Sequence, residues 1–215
     1  PISSSNMGSS MAMTENIPYT VLNKNEYNLP ENKRLYFYEF NRDKKQYIEV
    51  NPIHFGKNGC TFAMWFFGDV HNWYWNRLFD FGLGTANKNI VFAFAARNIT
   101  AHLLGETNNH HEFNILNGAV NNWIHIAWTI SKEDTWKFYV NGSEVKSYNN
   151  KNKPASTTPE GEQIILNKNY IGRSNWGNDP YFGGKIGDFR IFDQTLNANQ
   201  IKHIYENPKD PRARE

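Results

Sequence analysis

The chain of 215 residues carries 23 Lys and Arg against 21 Asp and Glu, and this interleaved charge argues against nucleic-acid binding driven by charge alone. Cys60 is the only cysteine, which excludes an intrachain disulfide, and no stretch approaches the roughly 20 apolar residues that a membrane helix needs. Aromatic residues make up 15% of the chain, with seven tryptophans, and this content predicts a globular domain with a sizeable core.

The small polar residues 1–18 predict a flexible tail or an expression remnant, and no signal peptide is visible there. From residue 35 onwards, short runs of β-branched and aromatic residues alternate with turn clusters, a pattern that is typical of strands. One run, Cys60–Phe67, is apolar on both faces, which predicts a central strand and a buried Cys60. The strands predicted in this half are Leu35–Phe40, Gln46–Val50, Cys60–Phe67, Arg77–Gly82, Asn89–Ala96 and Ile99–Leu104.

The second half contains the strongest local signal, the dipeptide Asn141-Gly142 between two strand-like runs. This dipeptide favours a type I′ turn, in which both central residues take a positive φ, and so predicts a β-hairpin. The polar segment Asn149–Glu162, with two prolines, is predicted to be a loop. The strands predicted in this half are Trp123–Ile130, Trp136–Val140, Ser143–Tyr148, Gln163–Leu166, Asn169–Arg173 and Gly184–Phe192.

One short helix is predicted near the end of the chain. Asn197 can cap it, Gln200 stands three residues later as in a capping box, and Pro208 cannot continue it. Many short strands with regular turns and no tandem repeat predict an all-β, two-sheet antiparallel sandwich with this helix at its C-terminus. We expect one domain over residues 19–207 and a C-terminal tail over residues 208–215.

Four parts of the chain, in this order and spacing, resemble the laminin-G-like jelly roll of the concanavalin A-like lectin and glucanase superfamily. They are Phe40–Val50, Thr61–Trp65, Trp123–Thr129 continuing to Phe138–Gly142, and Ile171–Ser174 followed by Gly184–Phe192, Leu196 and Ile201. The resemblance covers roughly residues 35–206 and implies a jelly-roll fold. The superfamily includes sugar-binding modules, adhesion domains, virion components and hydrolases, so the fold does not select a function. The resemblance favours an extracellular, cell-surface or virion location.

The hydrolase hypothesis can be tested on the positions of acidic residues, because glycoside hydrolysis usually needs two carboxylates that face one site. Residues two apart on a strand share a face, so a cluster of acids at that spacing would be the signature. Glu39 and Asp43 are separated by a predicted turn, and Glu49 is alone on its strand. Asp80 and Asp188 have no acidic neighbour two residues away. We therefore expect a protein that is not an enzyme.

Metal binding is suggested only by the resemblance, since members of the superfamily often hold calcium near a sheet edge. Asp43 and Asp188 are the matching candidates, although the basic turn Asn41–Lys45 would repel a cation and Asp188 could instead accept backbone hydrogen bonds. Calcium is therefore possible but not required. His110 and His111 are adjacent and would point to opposite faces of a strand, which favours solvated side chains over a zinc site.

Aromatic side chains cluster in two segments interpreted as loops, Asp69–Arg77 and Arg173–Phe182. Flat rings with a few polar groups are what a sugar site needs, but the same rings could pack over the edge of the sandwich. His102 is expected on a solvated strand face, and Trp65, Trp123, Trp128 and Trp136 are expected in the core. The candidate ligand-binding residues are Trp73, Tyr74, Trp75, Arg77, Trp176, Asn178, Asp179 and Tyr181.

The sequence therefore predicts a non-catalytic, lectin-like module that binds a glycan or glycoprotein through loop aromatics. The alternative is a structural or adhesion domain of a surface or virion assembly, in which the same aromatic residues would anchor a protein partner. Neither hypothesis includes a nucleic-acid partner or insertion into a membrane.

Overall fold

The structure is a computed structural model that describes residues 11–13, 19–22, 34–54, 58–69, 74–95, 98–104, 109–113, 121–149 and 165–209. These residues form sixteen strands and one helix. The elements are β1 (Met11–Met13), β2 (Tyr19–Leu22), β3 (Leu35–Phe40), β4 (Ile48–Val50), β5 (Ile53–His54), β6 (Cys60–Gly68), β7 (Tyr74–Gly82), β8 (Asn89–Ala95), β9 (Asn98–Leu104), β10 (Asn109–Phe113), β11 (Trp123–Ile130), β12 (Thr135–Val140), β13 (Ser143–Asn149), β14 (Ile165–Leu166), β15 (Lys168–Ile171), β16 (Gly184–Phe192) and α1 (Ala198–Glu206).

The strands build two antiparallel sheets that pack face to face. The first sheet has the order β1-β4-β15-β7-β8-β9-β10, and the second has the order β13-β12-β11-β6-β16-β3-β2. Strands β5 and β14 form a separate pair. The predicted hairpin is confirmed, because β12 and β13 pair across Asn141 and Gly142, whose φ angles are 47° and 78°. The predicted two-sheet sandwich is therefore confirmed.

Aromatic rings fill the space between the two sheets. Phe62 lies 4.8 Å from Phe79 and 5.7 Å from Trp128, measured between ring centroids. Phe92 contacts the other side of Trp128 at 5.7 Å. Ring pairs at such distances stabilise a core beyond the area that they bury. The residues expected in the core are buried as predicted: Cys60, Trp65, Trp123, Trp128 and Trp136.

The strand boundaries differ from the sequence prediction where the local strand pattern is weak. β7 begins at Tyr74, three residues before the predicted start, and β10 was not predicted at all. Three residues of the predicted tail, Met11–Met13, pair with β4. In each of these segments the neighbouring strand supplies the hydrogen-bond partners, so tertiary pairing overrides a weak local pattern.

Helix α1 packs on the outer face of the second sheet. Its Asn197 cap accepts a hydrogen bond from the Gln200 backbone N–H while the Gln200 side chain accepts one from the Asn197 N–H, so the predicted capping box is confirmed. Ile201 and Ile204 of the helix are buried against β6, β11 and β12. Among the described residues, no helix has the length and apolarity to cross a membrane.

The helix also covers His125 of β11, which is fully buried beside the rings of Trp65 and Tyr205. Burial, with a smaller contribution from the charge of Arg190, lowers the pKa of His125 to about 3. Neither ring nitrogen has a hydrogen-bond partner among the described residues. The folded protein therefore holds a neutral imidazole at a pH where an unfolded chain would protonate it.

We expect this histidine to make the domain less stable in acid. Because the pKa of His125 is lower in the folded state than the unfolded value of about 6.5, its contribution is present above pH 6.5 and is lost as the pH falls towards 3. The loss approaches about 1.4 kcal/mol of unfolding free energy per pH unit within that window. Urea titrations of wild type and His125→Leu between pH 7 and pH 5 should show a shallower pH dependence in the variant. Parallel pH profiles would contradict the assignment.

Candidate functional site

The site begins at a distortion in β7, a strand of the first sheet. Phe79 and Phe81 point into the core, and the residues of β7 before Phe79 pair with β8 through two register shifts. Trp75 lies within this irregular stretch with a φ of 57°, an uncommon conformation for a bulky side chain, and its side chain is 39% exposed. Strained residues of this kind concentrate at functional sites. The distortion places a large ring on the surface outside the first sheet.

Arg77 joins the two segments that the sequence analysis singled out. Its guanidinium carbon lies 5.2 Å from the centroid of the Trp75 ring and 5.5 Å from that of Trp176. Its terminal nitrogen donates to the Asp179 carboxylate at 2.8 Å, and Nε makes a longer ionic contact of 3.5 Å with Asp80. Only 3% of the side chain is exposed. The structure thus brings Trp75, Trp176 and Asp179 together around the buried cation of Arg77.

Asp80 fixes the segment after β15 to the first sheet. Its carboxylate accepts hydrogen bonds from the Asn89 side chain at 2.9 Å and from the Asn175 backbone and side chain at 2.9 and 2.8 Å. The Ser174 hydroxyl donates to Asp179 at 2.8 Å. Burial raises the pKa of Asp80 and lowers the pKa of Arg77, and each charge partly offsets this effect on the other. The polar network holds Trp176 in place.

The structure describes the remaining candidate residues to different extents. Asn178 is exposed beside Asp179, and Tyr181 is half-buried, with its carbonyl accepting from the Asn76 side chain at 2.7 Å. Trp73 lies outside the described residues, and only the backbone of Tyr74 is described. The interpretation of residues 74–76 as a loop was wrong, because they are part of β7. The irregular pairing at the start of β7 explains the error, since it disturbs the alternation by which a strand is recognised.

His102 extends the aromatic surface, and its prediction as a solvated side chain was wrong. It is 7% exposed, its ring centroid lies 5.3 Å from that of Trp75, and it stacks on His110 at 5.2 Å. Its Nε2 lies 2.7 Å from the Thr100 hydroxyl. Burial, followed by the charge of His110, lowers the pKa of His102 to about 4. His111 stacks on Tyr148 on the opposite side of β10, as predicted for adjacent strand residues.

The family model described as the concanavalin A-like lectin/glucanases superfamily, of laminin-G type, matches residues 42–202. The chain belongs to this superfamily. Among curated protein sequences, no relative matches it. The resemblance drawn from the sequence is therefore confirmed.

Solved structures of similar fold include binding domains and a domain of an enzyme. Domain 4 of AbnA, an extracellular GH43 arabinanase from Geobacillus stearothermophilus, in complex with arabinotriose, is 16% identical with a TM-score of 0.59, and the match covers 91% of this chain and 87% of that one. The binding domain of botulinum neurotoxin serotype G is 15% identical with a TM-score of 0.63, over 95% of this chain and 47% of that one. The ligand-binding domain of botulinum neurotoxin serotype D, in complex with N-acetylneuraminic acid, is 15% identical with a TM-score of 0.60, over 94% and 51%. This chain thus spans about half of each neurotoxin domain.

Within this superfamily fold, sequence reasoning missed a second aromatic group on the same surface. The guanidinium carbon of Arg173 lies 4.6 Å from the centroid of the Tyr47 ring and 4.5 Å from that of Tyr170. Tyr47 also contacts Tyr181 at 6.1 Å between centroids. Tyr170 is directly opposite Asp80 in the pairing of β15 with β7, which connects this group to the Arg77 network. Only the strand register reveals this proximity.

The calcium candidates taken from the superfamily resemblance do not meet. Asp43 is exposed in the turn after β3, beside a cleft of about 710 Å³ that Arg42, Asp69 and Lys185 also line. Asp188 is buried, and both of its carboxylate oxygens accept from Arg190, at 2.7 and 2.6 Å. In the part of the chain that the structure describes, no group of three or more His, Cys, Asp or Glu side chains could hold a metal. These two residues do not fit a shared calcium site.

Proposed function

We propose that this domain binds glycans, without catalysing a reaction on them, through the surface outside the first sheet that carries Trp75 and Trp176. The observation that carries the proposal is the pair of tryptophan rings that both contact the guanidinium of the buried Arg77. Apolar C–H patches of sugars pack on flat aromatic faces, and rings that are already fixed lose little conformational entropy on binding. The glycan complexes of the arabinanase domain and of the serotype D domain support this choice of ligand class.

Polar groups near the two rings could orient a bound sugar through hydrogen bonds. Asn178 is exposed two residues after Trp176, and Tyr181 is half-buried, with its carbonyl accepting a hydrogen bond from the Asn76 side chain. Trp73 and Tyr74 precede Trp75 in the chain, and we include them in the proposed site as the residues that extend it. Hydrogen bonds from a few placed polar groups give a site its selectivity, while the rings supply most of the contact area.

The carboxylates of this surface are placed to hold the tryptophan rings rather than to catalyse a reaction. Asp80 is fully buried and accepts hydrogen bonds from two asparagines, and Asp179 is paired with Arg77. A glycosidase needs one carboxyl group that donates a proton and one that attacks or activates water, both facing the substrate. The network instead uses these carboxylates to hold the tryptophan rings, and this supports a binding role.

A glycan array tests the proposed function, with the purified domain applied in calcium and again after chelation. We expect binding to a defined set of glycans that persists after chelation, because Asp188 is paired with Arg190 and the turn around Asp43 is basic. Binding that disappears with the chelator would show a metal dependence that these residues do not explain. An array without any glycan bound under either condition would contradict the proposed function.

The second candidate function is adhesion to a protein partner, and strand β13 favours it. This edge strand of the second sheet is exposed along most of its length, and Val145 is 44% exposed. Edge strands can add a strand from a partner chain, although charges such as Glu144 and Lys146 oppose such pairing. A domain that binds no glycan but associates with a protein, and loses that association in Val145→Arg, would support this candidate.

A further inference from the structure

Arg173 sits in a clamp of two tyrosine rings at the border of the proposed glycan surface. Its guanidinium lies over Tyr47 and Tyr170, which themselves pack edge to face at 5.5 Å. The side chain is half-buried. Contact with two rings restricts the position of the guanidinium, and its N–H groups remain available as donors. Within the described residues, no carboxylate pairs with Arg173 and no acceptor takes a hydrogen bond from its side chain.

Arg77 provides the internal comparison, because its guanidinium also contacts two aromatic rings. Its charge is matched by Asp179 at 2.8 Å and by Asp80 at 3.5 Å, and the side chain is almost completely buried. Arg77 is therefore committed to the structure of the site. Arg173 has the same aromatic setting without the carboxylates. A planar cation that is oriented but not neutralised is suited to receive an anion from outside the protein.

We propose that Arg173, clamped by Tyr47 and Tyr170, is a subsite for the acidic group of a glycan, a carboxylate or a sulfate. The proposal rests on the proposed glycan-binding function and names the ligand class of that surface. A carboxylate and a sulfate ester each present two oxygens that a guanidinium can bind through two parallel hydrogen bonds. Tyr181 contacts Tyr47 and belongs to the proposed sugar site, so one oligosaccharide would reach both groups.

Two acids lie opposite Tyr170 of this subsite. Asp80 is buried and paired with Arg77, so Glu49 is the acid that we expect to oppose an anionic ligand. Glu49 of β4 is directly opposite Tyr170 of β15, and its charge raises the Tyr170 pKa, an effect secondary to burial. Arg173 acts on that tyrosine in the opposite direction. Removing the Glu49 charge should therefore strengthen binding of an acidic glycan, whereas removing the Arg173 charge should weaken it.

The experiment compares acidic glycans with neutral counterparts on the full chain. The probes are a carboxylated oligosaccharide with its carboxyl-reduced form and a sulfated oligosaccharide with its desulfated form, each titrated by calorimetry. The variants are Arg173→Gln, Glu49→Gln and Lys168→Gln. Lys168 is the matched control because it is an exposed cation on the same face of β15, two residues from Tyr170, and within the described residues no aromatic ring lies over its ammonium.

We expect an acidic glycan to bind the wild type more tightly than its neutral form, and added salt to weaken that preference. Arg173→Gln should reduce acidic-glycan affinity about tenfold and neutral-glycan affinity by a much smaller factor. Lys168→Gln should change either affinity by less than about twofold. Glu49→Gln should increase acidic-glycan affinity, a gain that misfolding cannot produce. The carboxylated and sulfated pairs show which anion the subsite takes.

Two results would overturn the inference in distinguishable ways. Equal affinity for acidic and neutral glycans in the wild type, or equal losses in Arg173→Gln and Lys168→Gln, would overturn the acidic subsite while leaving glycan binding in place. Binding to none of the four probes, together with a glycan array without any bound glycan, would overturn the proposed function and the subsite with it.

Discussion

Replacing Trp176 by alanine should lower the affinity for a glycan found on the array by roughly ten- to thirtyfold, with the fold intact. The ring lies over Arg77 at the surface, so its removal eliminates a stacking face without opening the core. Trp75→Ala should have a similar effect, because this ring lies over the same guanidinium and is 39% exposed. Titration calorimetry of each variant with the same glycan measures the loss.

Ile165→Ala is the matched control for these tryptophan variants. Ile165 is a large apolar side chain that is 49% exposed, and it lies on β14, in the separate pair with β5. Its truncation should leave glycan affinity unchanged. A loss in Ile165→Ala equal to that in Trp176→Ala would show that general apolar surface, rather than the rings around Arg77, determines binding.

Replacing Arg77 by methionine should reduce the unfolding free energy by about 3 to 5 kcal/mol. The change leaves the fully buried Asp80 and the partly buried Asp179 without their cation and removes the contacts of that cation with two tryptophan rings. An unpaired carboxylate in a buried position costs far more than the loss of an exposed ion pair. Urea denaturation of wild type and variant measures the difference.

Arg42→Met tests whether burial is the cause. Arg42 forms a comparable ion pair with Asp69 at 3.0 Å, but the two side chains are 24% and 36% exposed. We expect this variant to cost about 1 kcal/mol or less, because solvent screens an exposed pair. Equal losses in the two variants would contradict the conclusion that the Arg77 network anchors the site.

Much of the fold could be predicted because several segments carry strong local patterns. β3 and β11 have the predicted limits, since their runs of apolar and aromatic residues end at clear turn residues. The Asn141-Gly142 turn and the Asn197 cap were equally readable, because each depends on a local backbone requirement that few residues satisfy. Such features do not depend on distant parts of the chain.

The site could be predicted only in part, because its parts come from strands that are distant in sequence. The aromatic content of two segments indicated Trp75 and Trp176, but the sequence could not show that Arg77 joins them. Tyr47 and Arg173 were missed because only the pairing of β15 with β4 and β7 brings them together. Register and irregular pairing, which residue spacing does not determine, decide which side chains meet.

The seven tryptophans of the chain allow the proposed site to be tested directly by NMR. Each indole N–H gives its own signal in a ¹⁵N-labelled sample, and single variants assign them. On titration with the tightest-binding glycan from the array, we expect the signals of Trp75 and Trp176 to shift and those of the four core residues to stay in place: Trp65, Trp123, Trp128 and Trp136. Saturating glycan binding that leaves both Trp75 and Trp176 unchanged would contradict the proposal that this surface is the binding site.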